Sequence, residues 1–313
     1  MILSASRRTD IPRFYFDWFL NRLQEGHVLV RNPINHQQVS YVELNTQTID
    51  CIAFITKNPT PMIPKLSQLD PYPYFVQFTL NAYGNDIEKS LPRKKELMNT
   101  SKRLSQIIGP ERVAWRYSPI LLSKEYTLSH HLHYFELFAK QLEGYTTLCR
   151  ISFLEVYSKL ETYMKALGIS DVPESQKTLL AKRFLEIGKQ YGMEVGGCGN
   201  LDLKAAGIPK AGCVDATYVS RVINKPVRKG VSSYRPEGCN CLPTVDIGSY
   251  NTCANGCVYC YANKSMEHQP LKMKAYDAHS PILCDSLMPH DKITTRNTTS
   301  LCSNQPSLFD AIA

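Results

Sequence analysis

The sequence lacks any apolar run approaching the roughly 20 residues that a membrane-crossing helix requires. It also lacks internal repeats, and no lysine or arginine block in it is dense enough to demand an anionic partner. Its first residues, Met1-Ile-Leu-Ser-Ala-Ser-Arg-Arg8, are too few and too polar for a secretory leader. These absences argue against a membrane-spanning, solenoid or secreted protein and make the cytoplasm the expected location. Cysteine is scarce over the first 148 residues, where Cys51 stands alone.

The rest of the composition is that of an ordinary globular chain. Its 313 residues are 43% hydrophobic and 20% charged, enough for one large domain or two small ones. The formal charge of +8 permits an anionic partner, but a solvated basic surface accounts for it equally.

The cysteines cluster late. Ten of the eleven lie from Cys149 onward, and seven fall between Cys198 and Cys260, both included. In a reducing compartment such clustering points to metal binding or thiol chemistry rather than disulfides.

Short β-branched and aromatic runs alternate with amphipathic ones. The pattern predicts strands at Ile2–Ala5, Cys51–Thr56, Tyr74–Leu80, Arg112–Tyr117, Thr147–Phe153, Met193–Gly196 and Thr244–Gly248. Helices are predicted at Pro12–Glu25, Pro61–Leu66, Pro92–Ile108, Ser129–Leu142, Leu154–Leu167 and Glu174–Tyr191. Repeated strand–helix order implies an α/β fold: a partial or full TIM barrel of parallel strands with outer helices, with an open doubly wound sheet as the alternative. Polar residues gather where strands should end, at Arg7, Thr9 and Asp10, at Thr56, Lys57 and Asn58, and at Arg116 and Arg150. That edge is where such folds bind ligands. Residues 1–265 are expected to form the barrel with its cysteine loop, and 266–313 a C-terminal extension whose segment Thr294–Ala313 is a loose tail.

The sharpest motif is Cys253-Ala-Asn-Gly-Cys257-Val-Tyr-Cys260. Three soft thiolates in one short loop can grip a [4Fe–4S] cube and leave one iron open for a ligand. A zinc site is the competing reading, though zinc usually takes four donors in paired C-x2-C units. The spacing, with Tyr259 just before the last cysteine, resembles the signature of the radical S-adenosylmethionine (SAM) superfamily. That resemblance implies that Cys253, Cys257 and Cys260 hold a [4Fe–4S] cluster, that its open iron binds SAM, and that Tyr259 lies against the adenine. It also implies an electron donor such as flavodoxin or ferredoxin. A wider resemblance, to the bacterial domain of unknown function family 1848, rests on Ser4-Ala-Ser-Arg-Arg-Thr-Asp10-Ile-Pro12, Phe54-Ile-Thr-Lys-Asn-Pro59, Trp115-Arg-Tyr-Ser-Pro-Ile120, Asp246-Ile-Gly-Ser-Tyr250 and Cys253–Asn263.

The superfamily carries its cysteine loop after the first barrel strand, near the N-terminus. Here the loop is near the C-terminus, which a permuted barrel would explain, with Thr244–Gly248 as first strand and Ile2–Ala5 beside it as second. No Gly-Gly-Glu-like motif follows Ile2–Ala5. In its place Asp10 is expected to take the SAM amino group and Arg7 or Arg8 the carboxylate, by charge-assisted hydrogen bonds. The alternative for Asp10 is the N-cap of the helix beginning near Pro12.

Four further cysteines, Cys198, Cys213, Cys239 and Cys241, supply the donors for a closed second site holding a [4Fe–4S] cluster or zinc, unless they are simply buried thiols. Cys51 and Cys149 read as strand core. His130, His131 and His133 lie on a predicted helix with no acidic partner motif, which favours packing or surface roles. The stretch Gln305-Pro-Ser-Leu-Phe309 resembles the peptide by which bacterial replication and repair proteins dock on the sliding clamp. Two function classes follow: a radical SAM enzyme, with no catalytic residue assigned on the substrate side, and a non-catalytic zinc or iron–sulfur module associated with nucleic acid. A radical enzyme acting on damaged DNA, as spore photoproduct lyase does, would combine them.

Overall fold

The computed structural model describes residues 1–198, 204–228, 239–263 and 272–302. Along the chain run β1 (Ile2–Ala5), α1 (Ile11–Phe14), α2 (Phe16–Glu25), β2 (His27–Arg31), β3 (Gln38–Glu43), β4 (Cys51–Thr56), β5 (Tyr74–Thr79), α3 (Lys94–Ile108), β6 (Val113–Ile120), α4 (Leu128–Leu142), β7 (Leu148–Phe153), α5 (Glu161–Ala166), α6 (Glu174–Gln190), β8 (Glu194–Gly197), α7 (Ala216–Ile223), β9 (Thr244–Asp246) and β10 (Lys292–Thr295).

Seven strands form one sheet in the order β8-β7-β6-β5-β4-β1-β9, and every neighbouring pair is parallel. The cause is visible in the side-chain alternation. Leu3, Phe54, Val76, Trp115 and Ile151 point to one face and join the main core with Phe19 of α2, Leu104 of α3, Phe135 of α4 and Phe184 of α6. Ile2, Ala53, Phe75, Ala114 and Leu148 point to the other and pack on Tyr218 and Val219 of α7 and on Leu242. Two residues further along four of these strands, the second face turns polar at Ser4, Gln77, Arg116 and Arg150. One end of the sheet's inner side is thus plugged by α7, and the end at the strands' carboxyl termini is left for chemistry.

The fold is α/β with a seven-stranded parallel sheet flanked by helices, and among the described residues the sheet does not close into the full barrel of the expectations. The sheet is open, with β8 and β9 at its edges. β9 is only three residues long, and Gly197 on β8 is bridged by Lys210 instead of by another strand of the sheet. β9 does lie parallel to β1, Ile2 opposite Thr244, so the strand before the cysteine loop precedes the chain's first strand in space.

The helix expected over Pro12–Glu25 is two helices, because Tyr15 leaves helical geometry at φ −136°. The stretch after Pro61 is a 3-10 helix, Ile63–Leu69. Leu154–Leu167 holds only the 3-10 turn Ser158–Leu160 and the short α5. A second, three-stranded sheet, β10-β3-β2, was not expected from the pattern. Through it the C-terminal extension is built in: Arg31 pairs with Asp285 and Asp291, and Trp18 Nε1 donates to the Ser280 carbonyl at 2.8 Å. Thr294 and Thr295 therefore belong to a strand rather than to a loose tail. The clamp-like peptide 305–309 lies outside the described residues. No described helix is long and apolar enough to cross a membrane.

Candidate metal and cofactor site

The loop after β9 carries Cys253, Cys257 and Cys260, and its path is fixed by its neighbours. Gly256, at φ +67°, turns the backbone where a Cβ would come within 3.2 Å of Ser90 and Lys89 atoms. Ser90 N–H donates to the Asn255 carbonyl at 3.2 Å, and Val258 N–H to the Ile87 carbonyl at 3.0 Å. Tyr15 donates its hydroxyl to the Thr252 carbonyl, and Asn251 N–H donates to the Ala262 carbonyl. The loop therefore spans from α1 to the segment after β5.

Asp246 closes the β9 end. Its carboxylate accepts from Ser6 Oγ at 2.7 Å, Ser4 Oγ at 3.1 Å, Arg7 N–H at 2.8 Å and Gly248 N–H at 2.9 Å. This locks the turn after β1 against the start of the cysteine loop. Gly248 admits no side chain there, since a Cβ would meet Ser6 Oγ at 2.0 Å.

Beneath the loop lies a buried ion cluster. Glu88, fully shielded, pairs with Lys57 at 2.7 Å and with Lys94 at 2.5 Å, and it accepts the Tyr259 hydroxyl at 2.6 Å. Asn81 Nδ2 donates to the same carboxylate at 3.1 Å. Burial alone would raise the Glu88 carboxyl, but the two ammonium groups hold it down at about 2. Tyr259 is thus anchored at its tip while its ring stays in the wall of the site.

All three loop thiols line a cavity of about 430 Å³ at the carboxyl ends of the strands. Burial pushes Cys253 up and Cys257 up to about 12, with Lys57 pulling Cys257 the other way. As bare thiols they are protonated, so a metal must displace protons to bind. Their sulfurs do not form a group with all members within 4.8 Å of one another.

The four other cysteines singled out by sequence, Cys198, Cys213, Cys239 and Cys241, line the same cavity. Cys198, Cys213 and Cys241 bring their sulfurs within 4.8 Å of one another. Cys239 reaches the Cys241 sulfur but lies outside that close group.

Of the proposed SAM contacts, Asp10 takes the capping alternative. Its carboxylate accepts from Arg13 N–H at 3.2 Å, Lys57 N–H at 2.9 Å and Asn255 Nδ2 at 3.0 Å. With three of roughly four acceptor positions filled, it ties α1, β4 and the cysteine loop together rather than standing open to an amino group. Arg8 donates to the Gly248 carbonyl at 3.4 Å and lies over the Tyr250 ring. Arg7 differs: both terminal guanidinium nitrogens are buried without a hydrogen-bond partner. Arg116 lines the cavity with an unpartnered Nε, and Arg150 is engaged by Asp215 at 2.9 Å. Buried guanidinium nitrogens left unpartnered at the cavity, on Arg7 and Arg116, fit a negatively charged occupant, such as a carboxylate or a thiolate-bound metal.

Glu88, in the segment after β5, was not singled out from sequence, and Asp246, the last residue of β9, was named only within the Asp246–Tyr250 stretch and given no role. His131 is buried packing, as the sequence reading favours.

The chain belongs to a family described as a domain of unknown function, DUF1848, whose family model matches residues 2–262. No curated protein and no solved structure matches it.

Proposed function

We propose that this chain is a radical SAM enzyme whose [4Fe–4S] cluster is held by Cys253, Cys257 and Cys260. The carrying observation is that a three-cysteine loop leaves an edge strand of an open parallel sheet and turns all three thiols into a cavity at the strands' carboxyl ends. The loop sulfurs are spread more widely than donors sharing one ion, which suits attachment to separate irons.

A bound cluster would supply the electron that cleaves SAM to methionine and a 5′-deoxyadenosyl radical. The chain's residues bind and orient. Arg7, with two unpartnered nitrogens, is the receptor for the methionine carboxylate. Tyr259, fixed through Glu88, presents its ring as a wall for the adenine. Asp10 positions the loop through Asn255. The partner such chemistry needs is a one-electron donor of the flavodoxin or ferredoxin type.

The test is anaerobic reconstitution followed by dithionite and SAM. Wild-type protein should gain about four irons and four sulfides at this loop and release 5′-deoxyadenosine. A Cys257→Ala variant releasing it at the wild-type rate, or wild-type protein that takes zinc here and leaves SAM intact, would overturn the assignment.

A further inference from the structure

We infer that Cys198, Cys213, Cys239 and Cys241 form a closed tetrathiolate site for a single tetrahedral divalent ion of the zinc class, facing the cysteine loop across the cavity. Three chain segments distant in sequence meet here, and their backbones are fastened before any metal is considered. Cys198 N–H donates to the Ile151 carbonyl at 2.9 Å, continuing the edge of the sheet past β8. Gly197 receives Ala211 N–H at 2.8 Å and donates to the Pro209 carbonyl at 3.1 Å, which lays the 209–213 segment alongside. Leu242 N–H donates to the Val214 carbonyl at 2.8 Å, and Asn240 Nδ2 to the Lys210 carbonyl at 3.2 Å, which brings in the third segment.

Gly212 shows how tight the meeting is. A Cβ there would lie 2.7 Å from the Asn240 carbonyl oxygen and 3.0 Å from the Cys241 Cα. These neighbours are backbone atoms that cannot rotate away, so only glycine lets Cys213 and Cys241 approach.

The sulfurs then converge. Cys198 Sγ and Cys213 Sγ stand 2.7 Å apart, and Cys213 N–H points at Cys241 Sγ at 3.2 Å, the contact by which backbone amides support metal-bound thiolates. Zinc–sulfur bonds of about 2.3 Å place thiolates around one tetrahedral ion roughly 3.8 Å apart. Three donors within 4.8 Å match one shared ion better than the separate irons of a cube. Cys239, two residues before Cys241 and in contact with its sulfur, completes the donor set.

Charge supports the same occupant. A divalent ion with four thiolates carries a net charge of −2. Arg116, reaching in from β6 with an unpartnered Nε, has Cys213, Cys198 and Cys241 among its electrostatic neighbours, and Arg7 faces Cys241.

The inference does not depend on the SAM reading, and metal analysis separates the two. Protein purified in air and without chelator should retain one zinc per chain after any oxygen-labile iron is lost. Replacement by cobalt(II) should give the intense sulfur-to-metal charge-transfer and visible bands of a tetrahedral tetrathiolate. Cys213→Ser and Cys241→Ser should each lower retained zinc by tenfold or more, and Arg116→Gln should weaken it by roughly tenfold. Cys257→Ala should keep it. If the cysteine variants do not fold, the cobalt spectrum of the wild-type chain decides alone. Metal-free wild-type protein, a Cys198–Cys213 disulfide, a cobalt spectrum without tetrathiolate bands, or about eight irons with no zinc would each overturn the single-ion site.

Discussion

The Tyr259 hydroxyl donates to Glu88 Oε1 at 2.6 Å, which joins the cysteine loop to a buried carboxylate already shared by two lysines. The arrangement makes Glu88 the hub on which the loop rests. Replacing it leaves two partly buried ammonium groups, the more shielded Lys57 and the more open Lys94, without their anion.

Glu88→Gln should therefore destabilise the chain by about 3–5 kcal/mol, the usual cost of stranding buried charge. Tyr259→Phe removes the hydrogen bond to Glu88 and the one accepted from Asn81 Nδ2 but strands no charge, so about 1–2 kcal/mol is expected. Denaturant unfolding of both variants checks the ranking. A Glu88→Gln loss no larger than that of Tyr259→Phe would refute the hub.

Gly212 and Gly144 make a matched pair. Gly144 needs its glycine for backbone angle alone: φ is +76° and a Cβ would have nothing within 4 Å. Gly144→Ala should cost about 1 kcal/mol and leave bound metal untouched. Gly212→Ala should force the Cys213 and Cys241 segments apart and release the tetrathiolate ion. Metal content and melting temperature, measured together, separate the two effects. Full retention of metal in Gly212→Ala would show that the close approach is not needed.

The strands of the main sheet were legible because burial on both faces leaves continuous apolar runs. Ile2–Ala5 and Cys51–Thr56 match residue for residue. The hairpin of β2 and β3 was missed because Gln38-Val-Ser-Tyr-Val-Glu43 breaks the strict alternation of a half-exposed strand, burying Val39 and Val42 on opposite faces. Tyr15 broke a helix that composition alone would continue, because its hydroxyl is drawn to the Thr252 carbonyl, 237 residues away. The seven cysteines that line the cavity stood out in the sequence by their clustering between Cys198 and Cys260. Glu88 did not, since a single carboxylate after a strand carries no local signature and gains its role from Lys57, Lys94 and Tyr259.

Asp10 supports the cysteine loop without being one of the proposed ligands. Its side chain caps α1 and holds Lys57 N–H and Asn255. Asp10→Ala should cost about 2–4 kcal/mol, summing a lost cap with two stranded donors. It should also lower iron retained at Cys253, Cys257 and Cys260, although Asp10 is not a ligand. Iron per chain after reconstitution, compared with a capping-competent Asp10→Asn variant, checks this. Equal iron in wild type and Asp10→Ala would confine Asp10 to the helix cap.

His131 gives the fold a pH dependence that can be isolated. Its ring is fully buried: Nε2 lies 2.8 Å from the Leu121 carbonyl and Nδ1 2.7 Å from the Tyr117 hydroxyl. In the neutral form Nε2–H donates to the carbonyl and Nδ1 accepts from Tyr117, so both nitrogens are satisfied. A proton on Nδ1 would remove that acceptor and place a charge in the core. Burial accordingly lowers its pKa from 6.5 to about 4. The unfolded chain binds this proton below about pH 6.5, while the native chain resists it until about pH 4. The stabilisation is therefore complete above pH 6.5 and is lost as the pH falls towards 4, by about 3 kcal/mol in all. His131→Gln should be less stable than wild type at pH 7, and the gap should narrow at pH 5 because only the wild type carries this titration. A difference in urea midpoint that stays constant between the two pH values would show that the native and unfolded chains take up this proton alike, so that burial does not depress the His131 pKa.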